Sequence, residues 1–471
     1  MQAEPTHLSV LDAEKNGTQL VYLGFDHQDR DDGTFIPNGV VPEVWRGLTE
    51  SDLENHLPGV DFRHSRLWHF VEMAGVRVKR AHVAHNLASS NTWYYPLRPY
   101  GVPDLTSAFS RMEPNVRPEI ESGKCYLLID YAHEGFSSWM FYRVYEALSQ
   151  IEFRRDRVML IGGDLNIESS HTQYIEEHGI CAPIRVLPLN YFQPLIAEHM
   201  ASENFRAAHL TWQQVEQKRT RDKLYLNFNR RNRFHRLLVV VRLQKLGLLE
   251  RGYVSLPDQF EGQTNERAIE NEGIRFQVAP TMMRELLADY QQLSPLLPLR
   301  VDVDEMRTNH AYTHPTWPYL ESWLSLVSES LFFESTPGQI FFSEKIWKPM
   351  MNYHPFLLIG DANSLAMLRQ LGFRTFEPYI NEVYDAVADH EKRLAMVLTE
   401  LFRISQMPEK TRYDWFMGMR DILIHNFKHL QTVNFVQAFR LRDSQTNRAV
   451  VSSAATTQAV SGMKTKEGGR M

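Results

Sequence analysis

The sequence predicts an α/β protein with mostly parallel sheets. Three observations carry that expectation. Short apolar runs alternate with amphipathic stretches in a βαβαβ order, which feeds a parallel sheet. The alternation runs twice, interrupted by a polar, charged interval at residues 201–221. The 471 residues exceed one ordinary core and suit two or three domains.

In chain order, residues 19–25 read as a buried strand, 67–74 as a helix closed by Gly75, and 76–83 as an extended segment. Residues 125–130 form the next strand, followed by a turn at His133-Glu134-Gly135 and an amphipathic helix over 137–151. A strand at 157–161 runs into Gly162-Gly163-Asp164. Asn166 then caps a helix that reaches His178 and is stopped by Gly179. Residues 183–187 close the first series. The second opens with a strand at 223–229, a helix at 232–246 and a strand at 252–256. A less regular stretch follows to about residue 315. An apolar run then ends at Glu329, a helix opens at Ser343, and residues 355–359 are apolar again. A helix follows Asn363, then a short strand at 374–376, then helices from Asn381 to about His429. From Asp443 onward the chain is rich in Ser, Thr, Ala and Gly, a composition that cannot bury a core. The expected organisation is an N-terminal Rossmann-like domain at 1–205, a linker at 206–222, a second domain at 223–442 and a disordered tail at 443–471.

The bulk properties narrow the function classes. Hydrophobic residues at 43% and charged residues at 23% fit a globular protein. A net charge of −6 removes any global basic field for nucleic acid or anionic membrane. Cys125 and Cys181 flank apolar stretches and read as two buried thiols of a reducing compartment. No apolar run reaches spanning length, and Met1-Gln2-Ala3-Glu4-Pro5 lacks a basic-then-apolar leader, so a cytoplasmic chain is expected.

Two segments carry chemistry. In Asn229-Arg230-Arg231-Asn232-Arg233-Phe234-His235-Arg236 a strand runs into an arginine cluster that opens a helix. Exposed N–H groups at a helix start attract anions, and arginine adds a planar fork that matches two phosphate oxygens. Such clusters are more often solvated turns; the position between a strand and a helix favours the ligand. The second segment is Ser343-Glu344-Lys345-Ile346-Trp347-Lys348. An ordinary N-cap explains Ser343 and Glu344, but Lys345 and Lys348 sit badly near a positive helix end unless an anion relieves them. Glu329, at the end of the preceding apolar run, belongs at the same carboxyl edge, where open α/β sheets bind ligands. A lysine there can hold phosphate, and a glutamate can hold ribose hydroxyls.

Taken in order, the strand, the Arg-Asn-Arg-Phe-His helix, the strand ending in Glu329, the Ser343-Glu344-Lys345-Ile346-Trp347 start and Pro355-Phe356-Leu357-Leu358-Ile359-Gly360 resemble the α1,3-fucosyltransferase family over roughly residues 223–400. Glu329 stands where that family has a Phe-Glu-Asn strand end, with Glu334 as the alternative. The resemblance implies a GT-B fold, two Rossmann-like domains facing across a cleft. It also implies a nucleotide-diphosphate sugar as donor, a diphosphate held by arginine and lysine, a ribose held by the glutamate before the lysine, inversion at the sugar, and no essential metal. The donor-binding candidates are thus Arg230, Arg231, Arg233, Glu329, Ser343, Glu344, Lys345 and Lys348.

Sugar transfer also needs a base for the acceptor proton. Asp130-Tyr131-Ala132-His133-Glu134 follows a strand of the first domain and supplies candidates: Glu134 first, then Asp130 and His133. Each has an ordinary alternative, Asp130 as a turn cap and Glu134 as a solvated carboxylate. Asp302-Val303-Asp304 matches a short metal motif but lies in a charged, irregular stretch and reads as surface. No histidines have metal-ligand spacing, so no metal is expected. Gly162-Gly163-Asp164 could meet a phosphate or simply make a turn.

The expected activity is a metal-independent glycosyltransferase acting on a glycan or lipopolysaccharide hydroxyl. One alternative acceptor is a hydroxymethylated DNA base, for which Arg154-Arg155, Lys218-Arg219 and Arg221 would form the local basic surface. A non-catalytic nucleotide-binding regulator is the alternative of another class.

Overall fold

In a computed structural model of the chain, the described residues are 20–25, 77–82, 92–97, 105–110, 112, 114–132, 135, 139–151, 153–260, 262–276, 278, 280–301, 315–333 and 337–432. The expected helix at 67–74, the tail at 443–471, His133, Glu134, Asp302 to Asp304 and Glu334 lie outside them. The chain divides into two compact units. One, Met1–Val21 with Arg66–Val78 and Val433–Met471, contributes few described residues. The other, Tyr22–Ser65 with Lys79–Thr432, holds the rest.

The first sheet has six strands in the order β2-β1-β3-β4-β5-β6. They are β1 (Leu20–Phe25), β2 (Arg77–His82), β3 (Trp93–Leu97), β4 (Cys125–Tyr131), β5 (Val158–Gly162) and β6 (Arg185–Pro188). Every pairing with a described register is parallel. Parallel strands covered on both faces read as continuous apolar runs, and β4 and β5 are buried almost residue for residue. Helices α1 (Leu105–Ser110), α2 (Val116–Glu121), α3 (Trp139–Ser149) and α4 (Ile167–Glu177) accompany this sheet. Phe141, Val144, Leu148 and Ile167 join Trp93, Leu127, Ile129 and Leu160 in its core. Gly179 ends the α4 region at φ +61°, the left-handed stop its position predicts.

Helices α5 (Phe192–Ala201), α6 (Glu203–Ala208) and α7 (Trp212–Gln217) follow, so the interval expected as linker carries short helices. Thr211 and Gln214 form a reciprocal capping box at the start of α7. The second sheet begins with β7 (Lys223–Asn227), α8 (Phe234–Lys245) and β8 (Gly252–Val254). A two-residue hairpin, β9 (Gln259–Phe260) with β10 (Gln263–Thr264), leads to α9 (Asn265–Arg275) and α10 (Pro280–Leu293). Then come α11 (Trp317–Leu320), β11 (Ser322–Ser328), α12 (Glu344–Met351) and β12 (Phe356–Ile359). The sheet order is β12-β11-β7-β8, all parallel. From β7 the chain moves outward to β8; from β11 it moves outward the other way to β12. The gap between the carboxyl ends of β7 and β11 is therefore a topological switch point, where open α/β sheets bind ligands. Helices α13 (Ser364–Gln370), α14 (His390–Ser405), α15 (Glu409–Gly418) and α16 (Arg420–Thr432) complete the described chain.

Three expectations are corrected and one strand is added. Strand β3 was not anticipated, because Pro96 breaks the sequence pattern of a central strand, yet Pro96 pairs in register with Leu128. The stretch to residue 315 is not irregular throughout: α9 hides its helical signal behind Gly273, where a Cβ would sit 2.2 Å from Met283 Sδ. Residues 374–376 form no strand; Arg374 N–H donates to Asn426 Oδ1 and Phe376 N–H to Glu382 Oε1, so side chains replace the ladder. Cys125 is buried as expected, but Cys181 is exposed in the turn after Gly179. No helix among the described residues is long and apolar enough to cross a membrane.

Candidate functional site

A cavity of about 310 Å³ opens at the switch point. Strand ends build its floor from Leu226 of β7 and Ser325 to Ser328 of β11. Among the described residues, six basic side chains line it, Arg230, Arg231, Arg233, Arg236, Lys345 and Lys348, against one carboxylate, Glu344. That is a concentrated positive field in a chain whose net charge is −6. Two helices start beside the same space, α8 after its N-cap Arg233 and α12 after its N-cap Ser343, and their positive ends add to the field. Phe192 of α5, Phe228, Tyr319 and Pro349 supply an apolar wall, with Phe228 and Tyr319 meeting edge to face at 6.4 Å. Phe192 comes from the first half of the chain, so both halves line the cavity.

The cations differ in how they are held. Arg230 and Arg231 are exposed and Arg233 is half-buried. Among the described residues neither Arg231 nor Arg233 has an acidic partner. Arg236 is 2% exposed, and its guanidinium donates to Arg231 O (2.9 Å) and Glu329 O (2.9 Å). Held by these two backbone carbonyls, it presents a preorganised charge. Lys345 Nζ lies 3.0 Å from Glu344 Oε1 and donates to Ser330 Oγ and Ser343 Oγ at 3.1 Å each. The protein itself thus relieves much of the lysine's unfavourable position at the helix start. Burial pushes the Lys345 pKa down, opposed by the Glu344 charge. For Glu344 burial favours the neutral acid, but Lys345 and Lys348 outweigh it and hold the carboxyl down at about 2.

Glu329 and Ser343 lie beneath the cavity rather than along it. Glu329 is 2% exposed; its carboxylate accepts from Ser330 N–H (3.1 Å), Ser343 N–H (3.3 Å) and the Ser343 hydroxyl. Ser343 Oγ in turn accepts from Lys345 N–H at 3.3 Å, an N-cap. Burial raises the Glu329 pKa, against the pull of Lys345. His235, fully buried, donates from Nε2 to Glu329 O at 2.9 Å, and burial together with Arg236 keeps its imidazole neutral. Glu329, Ser343 and His235 therefore brace the site.

The structure thus gathers Arg230, Arg231, Arg233, Glu344, Lys345 and Lys348 in one cavity and places Glu329 and Ser343 under it. Sequence reasoning missed Arg236 and the Tyr319 wall. Arg236 had a signal, since it stands three residues after Arg233 on the same helix start. Tyr319, in the short helix α11 before β11, had none.

On the first sheet, Asp130 is 2% exposed at the end of β4 and accepts Ala132 N–H at 3.0 Å, the turn-capping alternative; it does not line the cavity. His133 and Glu134 lie outside the described residues, but Gly135 packs so closely on Leu331 that a Cβ there would meet Leu331 Cδ1 at 2.1 Å. The loop after β4 therefore reaches the segment just past Glu329. Among the described residues no group of three His, Cys, Asp or Glu could hold a metal. The basic residues considered for a DNA surface are engaged elsewhere. Arg154 pairs with Asp156 and Lys218 with Glu321. Arg155 donates to Ala182 O, Arg219 lies over Tyr413, and Arg221 is buried among the Tyr319, Leu320 and Ser322 carbonyls.

No family model matches the chain, and no curated protein matches it. Among solved structures it is similar to an α,α-trehalose-6-phosphate synthase from Burkholderia multivorans, at 11% identity and TM-score 0.34, covering 82% of this chain and 75% of that one. It is likewise similar to a UDP-forming α,α-trehalose-phosphate synthase from Burkholderia vietnamiensis, at 12% identity and TM-score 0.35, covering 83% and 82%. Likeness at this level assigns neither a reaction nor a substrate.

Proposed function

We propose that this chain is a GT-B-type glycosyltransferase that moves a sugar from a nucleoside diphosphate to an acceptor hydroxyl. The observation that carries the reading is the cavity at the β7/β11 switch point, where the described residues set six basic side chains against one carboxylate. A diphosphate is the compact anion such a set accommodates, and arginine forks suit its paired oxygens. Glu344, ionised beside the lysines, can accept hydroxyl donors from a ribose, and the Phe228–Tyr319 wall offers a face for a ring. The reaction moves the acceptor oxygen onto the anomeric carbon, breaks the bond from that carbon to the diphosphate oxygen, and passes the acceptor proton to a base. The cations stabilise charge growing on the departing diphosphate, which is where electrostatic catalysis acts. Arg236, already fixed by two carbonyls, needs little reorganisation to do so.

Inversion at the sugar and independence from metal follow from the fucosyltransferase resemblance, whereas Glu134 as the base follows from its place after a strand of the first domain. The approach of Gly135 to Leu331 supports a base on that loop. A glycan or lipopolysaccharide acceptor is preferred to a DNA base, because Arg154, Arg155, Lys218, Arg219 and Arg221 do not form a free basic stripe.

The test is a panel of nucleotide sugars assayed for release of nucleoside diphosphate with mixed glycan acceptors. Acceptor-dependent release from one donor supports the reading. Binding of every donor with no turnover on any acceptor would replace it with a nucleotide-binding regulator.

A further inference from the structure

Residues 338–343 lead into α12, and three buried carboxylates hold their backbone. Ile340 N–H donates to Asp164 Oδ1 (2.9 Å), Phe341 N–H to Asp361 Oδ2 (3.1 Å) and Ser343 N–H to Glu329 Oε2 (3.3 Å). Asp361 and Glu329 follow strands of the second sheet. Asp164 follows β5 of the first, 176 residues from its partner. Two more bonds leave the same turn: Leu165 N–H donates to Ile340 O (2.8 Å) and Asn166 Nδ2 to Gly338 O (2.7 Å). Asn166 was expected to cap α4 with its side chain; it makes no such cap bond and reaches Gly338 instead.

Asp164 is fully buried, and a buried carboxylate is costly unless its oxygens are satisfied. Its Oδ1 accepts both Asn166 N–H (2.9 Å) and Ile340 N–H, so the Gly162-Gly163-Asp164 turn is directed at the protein's own backbone rather than at a phosphate. The consequence runs toward the cavity. Phe341, next in the chain, meets the cavity-lining Phe192 at 6.2 Å, and Ser343, three residues after Ile340, caps α12 and accepts from Lys345 Nζ.

We propose that Asp164 is a positioning residue for the anion site: from the first sheet it fixes the approach to α12, and with it the places of Glu344 and Lys345. The proposal rests on the nucleotide-sugar reading of the cavity. In it the two sheets are not independent supports. The donor-binding helix keeps its geometry only while the turn after β5 holds Ile340.

The experiment measures affinity for inorganic pyrophosphate, UDP and GDP by calorimetry in the full chain. Amide exchange at residues 340–345 is followed in parallel. The variants are Asp164→Ala, Asp164→Asn and Asn166→Ala, with Tyr145→Phe as a control. Tyr145 accepts Ile184 N–H and pairs with His171 within the first half of the chain, remote in sequence from 338–343, so its loss weakens that half without releasing the segment. Asp164→Ala is expected to speed exchange at 340–345 and lower pyrophosphate affinity roughly 2- to 30-fold, the span of indirect couplings. Asp164→Asn, which keeps an acceptor oxygen, should recover most of it. A folded Asp164→Ala with wild-type affinity overturns the proposal, as does an equal loss in Tyr145→Phe. If Asp164→Ala does not fold, Asn166→Ala decides: a smaller affinity loss with faster exchange supports the proposal, and no change in either overturns it. Pyrophosphate binding without UDP or GDP binding would defeat the nucleotide reading while the pyrophosphate series still reports on Asp164. A wild-type chain that binds none of the three overturns both.

Discussion

The carboxylate of Glu329 accepts both the backbone N–H and the hydroxyl of Ser343, so the end of β11 and the start of α12 form one hydrogen-bonded unit. A strand end and a helix start are thereby fixed around the space where the cations gather. The acid is buried, and its Oε1 has no hydrogen-bond partner among the described residues.

That burial has a pH consequence. Burial raises the Glu329 pKa, against Lys345 and the Ser343 hydroxyl. With a raised folded value, the unfolded chain loses its proton first. The stabilising contribution is therefore complete below the ordinary value of 4.5 and is lost as pH rises through the folded value. Glu329→Gln keeps an acceptor for Ser343 and removes the ionisation. Denaturant titrations across pH should show the variant gaining on the wild type as pH rises above 4.5. Parallel stability curves would contradict this.

Glu344 behaves in the opposite sense. Lys345 and Lys348 overcome its burial and hold its pKa at about 2, so its contribution is present above 4.5 and lost as pH falls toward 2. Glu344→Gln should remove that part of acid lability. It also leaves Lys345 without its ion-pair partner. Pyrophosphate should then bind at least as tightly as in the wild type, while UDP or GDP, which also present a ribose, should lose roughly 1.5–3 kcal/mol. Equal losses for pyrophosphate and nucleotide would argue against a ribose contact.

Much of this site was legible because its residues lie in two short segments at strand-to-helix turns. Arg230, Arg231 and Arg233 follow an apolar strand, and Ser343-Glu344-Lys345 opens a helix; local rules read both. The division of labour was not legible. Glu329 and Glu344 look alike in sequence, and only the packing of Ser343 under the cavity separates the brace from the lining. The misplaced elements fail for similar reasons. Pro96 sits in a central strand that long-range pairing holds, and α9 carries Gly273 for a contact with Met283 that no sequence window contains. Asp164 likewise reads as part of a turn, because its partner Ile340 is in another half of the chain.

The acceptor side is tested by Glu134→Gln. Nucleotide affinity should stay near the wild-type value while transfer falls by about 10²–10⁴, the usual loss for a general base. Asp130 caps the turn before it, so Asp130→Asn should affect stability more than turnover. If Glu134→Gln keeps full turnover and His133→Ala or Asp130→Asn loses it, the base belongs to that residue.

Metal dependence follows from the same charge distribution. Six basic side chains among the described residues already line the cavity proposed for the diphosphate, so transfer should persist in EDTA, and Asp304→Ala should remain active. Loss of activity in EDTA that manganese restores would show that a metal shares the task.

The central claim is that the cations of the β7/β11 cavity bind a nucleoside diphosphate, and calorimetric titration of UDP and GDP into wild type, Arg231→Ala and Lys345→Ala tests it most directly. Arg231 is exposed, so its removal should leave the fold intact and weaken binding by roughly 1.5–3 kcal/mol, the range for hydrogen bonds to charged groups. Lys345→Ala should lose a similar amount, and both losses should shrink as salt is raised. Nucleotide affinity unchanged in both variants, or absent from the wild type, would contradict the account.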